Sequence, residues 1–69
     1  MSVYLVQCSI GALDKVYIVN ARSTGGALET VNEYRTRRAL SAFDASKVRQ
    51  IGNTFTGLAG IVDQYTVRY

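Results

Sequence analysis

The stretch that decides the fold is Val3–Asn20, VYLVQCSIGALDKVYIVN. Val3–Ile10 is dense in β-branched and apolar residues, the composition of a strand. Gly11-Ala12-Leu13-Asp14 reads as a turn, because Gly and Asp accept the left-handed backbone that tight turns require. Lys15–Asn20 is a second strand, so the whole stretch is expected to fold as a hairpin.

Side chains alternate sides along a strand. Tyr4, Val6, Cys8 and Ile10 therefore share one side of the first strand, and Val3 and Leu5 the other. In the second strand Val16 and Ile18 share one side, and Tyr17 and Val19 the other. A sheet wetted on one face normally alternates apolar with polar residues. These strands do not, so both hairpin faces are expected to be apolar, with Val3, Leu5, Tyr17 and Val19 grouped on the second face.

Downstream, Ser23 or Thr24 can cap a helix, its hydroxyl accepting from a free first-turn amide. Gly25 and Gly26 are poor helix formers, which makes that start soft or closely packed. Ala27, Leu28, Val31, Tyr34, Arg35, Arg38 and Ala39 recur at helical spacing to about Leu40. Glu33 and Arg37 stand four apart in the favourable order for an ion pair. Arg35 continues the apolar stripe, so its stem is expected along the core edge with its head in solvent. One helix of this length shields one sheet face, leaving the second either as the scattered apolar exposure that good strand formers give or as a docking surface for a partner.

The segment Phe43–Gly60 reads less sharply. Lys47–Ile51 is either a strand or a helical turn, Gly52-Asn53-Thr54 is turn chemistry, and Gly57 and Gly60 around Leu58-Ala59 suggest a bend or bulge. Ile61–Tyr69 alternates as a strand, with Ile61, Tyr65 and Val67 on one face and Val62, Gln64, Thr66 and Arg68 on the other. The expected architecture is a single α+β domain over residues 1–69, ordered β-β-α-β-β, an antiparallel sheet with one helix packed on one face.

Bulk properties agree with a small globular domain. The 69 residues are 48% hydrophobic and 19% charged, enough apolar content to exclude disorder. No apolar run approaches the ~20 residues of a membrane-spanning helix. Met1-Ser2-Val3-Tyr4 shows neither a basic leader nor a cleavage site, so no signal peptide is expected. Cys8 is the one cysteine, which excludes an intrachain disulfide and fits a reducing, cytoplasmic setting.

Catalytic chemistry has little to draw on. The chain has no histidine, which removes the commonest general base and nucleophile activator. Of its five carboxylates, Asp14, Glu29, Glu33, Asp44 and Asp63, most read as turn or exposed-helix residues. Cys8 lacks the Cys or His neighbours of a metal site and reads as a small core hydrophobe. Gly52 and Gly57 have the spacing of a phosphate-binding loop, yet Leu58-Ala59 replaces its Lys and Ser/Thr. Gly57-Leu58-Ala59-Gly60 matches the spacing of a KH-type clamp, but a strand follows it where a helix is needed. Arg22-Ser23-Thr24-Gly25-Gly26 could seat an anion at a helix start, although plain capping explains it better. No enzyme activity, cofactor, metal or small-molecule substrate is expected.

A net charge of +3 tilts the chain toward acidic partners. Arg35, Arg37 and Arg38 cluster in the last helical turns, with Lys47, Arg49 and Arg68 further on. Tyr34 and Arg38 are one turn apart and can stack. Interleaved Arg and Tyr suit a protein hot spot or phosphate contacts with base stacking. A leading hairpin, a helix opening at Asn20-Ala21-Arg22-Ser23-Thr24 with Ala27-Leu28, then closing strands, is a layout similar to several small phage-encoded proteins. Among these are inhibitors of CRISPR surveillance complexes, and the resemblance implies a stoichiometric binder of a host nucleoprotein complex. The expected function is therefore protein–protein interaction, with a second copy as homodimer or with a foreign protein. Val3, Leu5, Tyr17, Val19, Tyr34, Arg35 and Arg38 are its candidate anchors. The alternative is nucleic-acid binding through Arg35, Arg37, Arg38, Lys47, Arg49 and Arg68.

Overall fold

The computed structural model describes residues 1–40, 45–53 and 57–69. The hairpin forms as β1 (Ser2–Ile10) and β2 (Leu13–Ala21), followed by helix α1 (Thr24–Arg37), β3 (Ala45–Asn53) and β4 (Gly60–Arg68). The four strands make one antiparallel sheet in the order β3-β1-β2-β4, so the hairpin is central and the later strands flank it. The β-β-α-β-β order and the single helix on one face match the sequence expectation. Of the Phe43–Gly60 segment, Lys47–Ile51 belongs to a strand, and Gly52 and Asn53 are its last residues rather than a turn. Asp44 and Thr54 lie outside the described residues.

The turn is shorter than the sequence suggests. Only Gly11 and Ala12 lie outside the ladder, with Ile10 paired to Leu13 and Asp14 already in β2. Gly11 has φ 58° and Ala12 a negative φ, the sign pattern of a II′ turn, whose twist matches that of the flanking strands. This turn length sets the faces. A two-residue loop pairs each even-numbered residue of β1 with an odd-numbered residue of β2, so Tyr4 opposes Val19 and Val6 opposes Tyr17. Paired residues share a face. Tyr17 and Val19 thus join Tyr4, Val6 and Cys8, which corrects their expected grouping with Val3 and Leu5.

That shared face carries α1. Tyr4, Val6, Cys8, Tyr17, Val19 and Ala21 form one cluster with Ala27 and Val31 of the helix, and Leu28, Tyr34, Val48 and Ile61 pack around it. Burying each Val or Tyr contributes about 1.5–3 kcal/mol, which makes this layer the main source of stability. Ser23 is the N-cap, its Oγ accepting from Gly26 N–H at 3.0 Å. A Cβ on Gly26 would sit 3.2 Å from that Oγ, so the weak helix former is there for close packing.

The helix stops at Arg37, earlier than the spacing implies. Ala39 takes φ 52°, Leu40 N–H bonds Arg35 C=O at 3.0 Å, and Ala39 N–H bonds Thr36 C=O at 3.1 Å. These are the paired bonds of a Schellman motif, with alanine where glycine is usual.

Each edge strand departs from regular pairing at the same level of the sheet. The β1–β3 register shifts between Val3 and Tyr4, and the β2–β4 register shifts between Ile18 and Val19. The second shift overturns the alternation read for the last strand. Ile61 opposes Val19 on the helix face, whereas Gln64 opposes Tyr17 there, so Ile61 parts company with Tyr65 and Val67.

Candidate functional site

Two surfaces gather the chemistry-bearing side chains. The first is the sheet face turned away from α1. Register places four residues in a row across it: Arg49 on β3, Leu5 on β1, Ile18 on β2 and Asp63 on β4. The next row is Lys47, Gln7, Val16 and Tyr65. Beyond it, Ser9 and Asp14 are paired, with Val67 beside Asp14. Val16 is only 3% exposed although it stands outside the core cluster, and its partners across the sheet are Gln7 and Tyr65. Leu5, Ile18 and Val3 are half-buried, while Tyr65 and Val67 remain 46% and 37% exposed. Among the described residues α1 is the one helix, and it lies on the other face.

Asp14 holds the far end of this face together. It accepts from Gln7 Nε2 at 2.5 Å and from the Tyr69 hydroxyl at 2.6 Å. The bond from Tyr69 and then that from Gln7 favour the carboxylate and hold its pKa below the usual value, with Ser9 and the charge of Lys47 adding to this against desolvation. The same bond raises the Tyr69 phenol, since ionising it removes the proton it donates, and desolvation and the charge of Asp14 add to this. Asp14 is thus a strand residue with bound partners, not the turn carboxylate expected.

The second surface is the C-terminal half of α1 where it meets β4. The Arg35 guanidinium donates from Nη1 to the Tyr17 hydroxyl at 2.8 Å. Tyr17 meets Tyr34 edge to face, with ring centroids 5.9 Å apart. Arg38 lies over the Tyr34 ring at 4.6 Å, as their spacing suggested, and Gln64 Nε2 donates to the Tyr34 hydroxyl at 3.1 Å. Arg37 pairs with Glu33, also as expected. A groove of about 770 Å³ runs between Thr30, Tyr34 and Arg38 of the helix and Ile61 and Gln64 of β4.

The head of Arg35 is therefore buried, not in solvent. The phenol of Tyr17 gives it a polar acceptor inside the core, which is what makes burying a guanidinium tolerable. The anchors expected on one surface fall into three places. Val3 and Leu5 lie on the open sheet face, Tyr17 and Val19 lie beneath the helix with Arg35 on the helix's buried side, and Tyr34 and Arg38 line the groove. The six cations are likewise divided. Lys47 and Arg49 lie on the open face, Arg37 and Arg38 on the helix, and Arg68, opposite Leu13, on the helix side of β4.

Sequence reasoning passed over Ile18, Asp63, Tyr65, Val67 and Tyr69 as companions of Leu5. The signal that could have found them was the two-residue turn, which fixes the parity of the hairpin.

Cys8 is fully buried, and its thiol is raised by desolvation against the opposing charge of Arg35. Among the described residues no cluster of His, Cys, Asp or Glu could hold a metal ion, and no helix is long and apolar enough to cross a membrane. Comparisons with protein-family models, curated proteins and solved structures found no match. The fold and the two surfaces define a small ββαββ domain whose open sheet face is apolar at its centre and charged at its margins.

Proposed function

We propose that this protein is a non-enzymatic binding module that works by docking its open sheet face onto another protein surface. The observation that carries this reading is the half-buried apolar pair Leu5 and Ile18 running into the exposed Tyr65 and Val67 on the face opposite α1. Tyrosine supplies much contact area at low entropic cost, and apolar patches edged by polar groups are typical of docking surfaces. Action by occupying a surface needs no catalytic group, in keeping with a chain that has no histidine.

The division of the cations supports a protein partner over a nucleic acid. Arg35 is spent on Tyr17 and Arg37 is paired with Glu33, while Lys47 and Arg49 face away from Arg38. A single polyphosphate backbone cannot meet all six on one side, which lowers the number of simultaneous phosphate contacts the chain can make and the salt dependence they would give.

A photo-crosslinking phenylalanine analogue placed at position 65, and as a control at exposed position 29 on the helix, tests the reading in cells. Protein adducts specific to position 65 are expected. Identical adducts from both positions, or adducts to nucleic acid alone, would overturn it.

A further inference from the structure

We infer that the occupant of the open face is a second copy of this chain, packed about a two-fold axis running along the strands so that β3 of each copy lies over β4 of the other. This rests on the docking reading above and adds the partner and its orientation.

The central row carries the inference. Across the face it reads Arg49, Leu5, Ile18, Asp63: cation, two apolar groups, anion. A two-fold axis parallel to the strands, midway between β1 and β2, reverses the order of strands and keeps each row at its own level. Arg49 of one copy then faces Asp63 of the other, and Leu5 faces Ile18, with both contacts made twice. In the next row Lys47 would lie over the ring of Tyr65, a cation–π arrangement, and Gln7 would lie over Val16. An axis perpendicular to the strands would instead lay β3 on β3: through the central row it sets Arg49 against Arg49 and Asp63 against Asp63, and one row along it sets Arg49 against Lys47. Like charges held together across an interface cost several kcal/mol, so the row selects the first orientation.

The geometry accommodates this. Stacked sheets with twisted strands pack at about 30°, which displaces edge residues by about 4 Å, within the reach of an arginine side chain. Four strands at ~4.8 Å and nine residues at ~3.3 Å give a face of roughly 19 by 30 Å. Both copies together would cover on the order of 1,100 Å², above the ~1,000 Å² expected of a specific interface. Arg49 and Asp63 are both exposed, so each can be reversed without disturbing the core.

Sedimentation equilibrium on the wild-type chain, on Arg49→Glu, on Asp63→Lys and on an equimolar mixture of the two variants tests the arrangement. The wild type should dimerise, and each variant alone should dimerise roughly tenfold or more weakly, as expected for two interfacial pairs turned repulsive. The mixture should return to wild-type strength, because each mixed dimer restores both opposite-charge contacts. Circular dichroism should show both variants folded. A wild type that stays monomeric at high micromolar concentration, or variants as dimeric as the wild type, would overturn the inference. The docking reading falls separately. It survives a monomeric wild type if position 65 still crosslinks to other proteins, and it fails if a wild-type dimer is unchanged by Tyr65→Lys.

Discussion

The guanidinium of Arg35 reaches 2.8 Å from the phenol oxygen of Tyr17, beneath a helix that leaves both residues less than a tenth exposed. A hydrogen bond to a charged group contributes about 1.5–3 kcal/mol, a large fraction of the stability of so small a domain. Tyr17→Phe should lose about that much in urea denaturation while keeping the fold. Arg35→Met, which retains an apolar stem and removes the charge, should cost less than Arg35→Ala. Equal losses for the two Arg35 variants would show that packing of the stem contributes nothing.

Ala39 sits at the position of the Schellman motif that glycine occupies with least strain. Replacing it removes a Cβ from a left-handed backbone, so Ala39→Gly should stabilise the protein by about 1 kcal/mol. A thermal melt reads this directly: Tm should rise by several degrees, and a fall would mean that the Ala39 methyl makes a contact worth more than the strain it imposes.

The Asp14 carboxylate and the Tyr69 phenol give the face opposite α1 a pH dependence of stated sign. Asp14 titrates below its ordinary value, so its contribution to stability is complete above that value and is lost as pH falls through the folded-state pKa. Tyr69 titrates above its ordinary value, so its contribution is complete below that value and is lost as pH rises through the folded-state pKa. In Tyr69→Phe the Asp14 carboxyl should titrate closer to 3.8, as followed by carbon NMR. The stability difference between this variant and wild type should persist at neutral pH and shrink at both extremes.

Cys8 is sealed under α1 with its thiol held protonated by burial. Thiol reagents attack the thiolate, so native protein should react far more slowly than urea-unfolded protein. Val31→Ala, which opens a cavity in the layer above Cys8, should speed native-state labelling. A Cys8 that reacts equally fast in the native and unfolded proteins would contradict the packing described.

β1, β2, α1 and β4 were legible in the sequence because their signals are local: β-branched runs for β1 and β2, a serine cap and 3.6-residue spacing for α1, alternation for β4; β3 was not, since Lys47–Ile51 suits a strand or a helical turn equally. The faces were not. Whether Tyr17 joins Tyr4 or Leu5 depends on whether the turn holds two residues or four, and Gly11-Ala12-Leu13-Asp14 carries turn chemistry at both ends. One residue of slippage moves a whole strand to the other side. The same holds at Ile61, where an irregular register returns the side chain to the helix face that strict alternation denied it. Arg35 was misplaced for a different reason: its head is buried by a tyrosine 18 residues away, a pairing that exists only once that parity is set.

The irregularities opposite Val3/Tyr4 and Ile18/Val19 have a consequence for growth of the sheet itself. An incoming strand needs a long run of evenly spaced amides and carbonyls, and at both outer borders that run is broken at one level. Lateral accretion of chain upon chain, the route to fibrils, is thereby obstructed on both flanks. With both borders interrupted, the molecule is poorly suited to polymerise edge to edge.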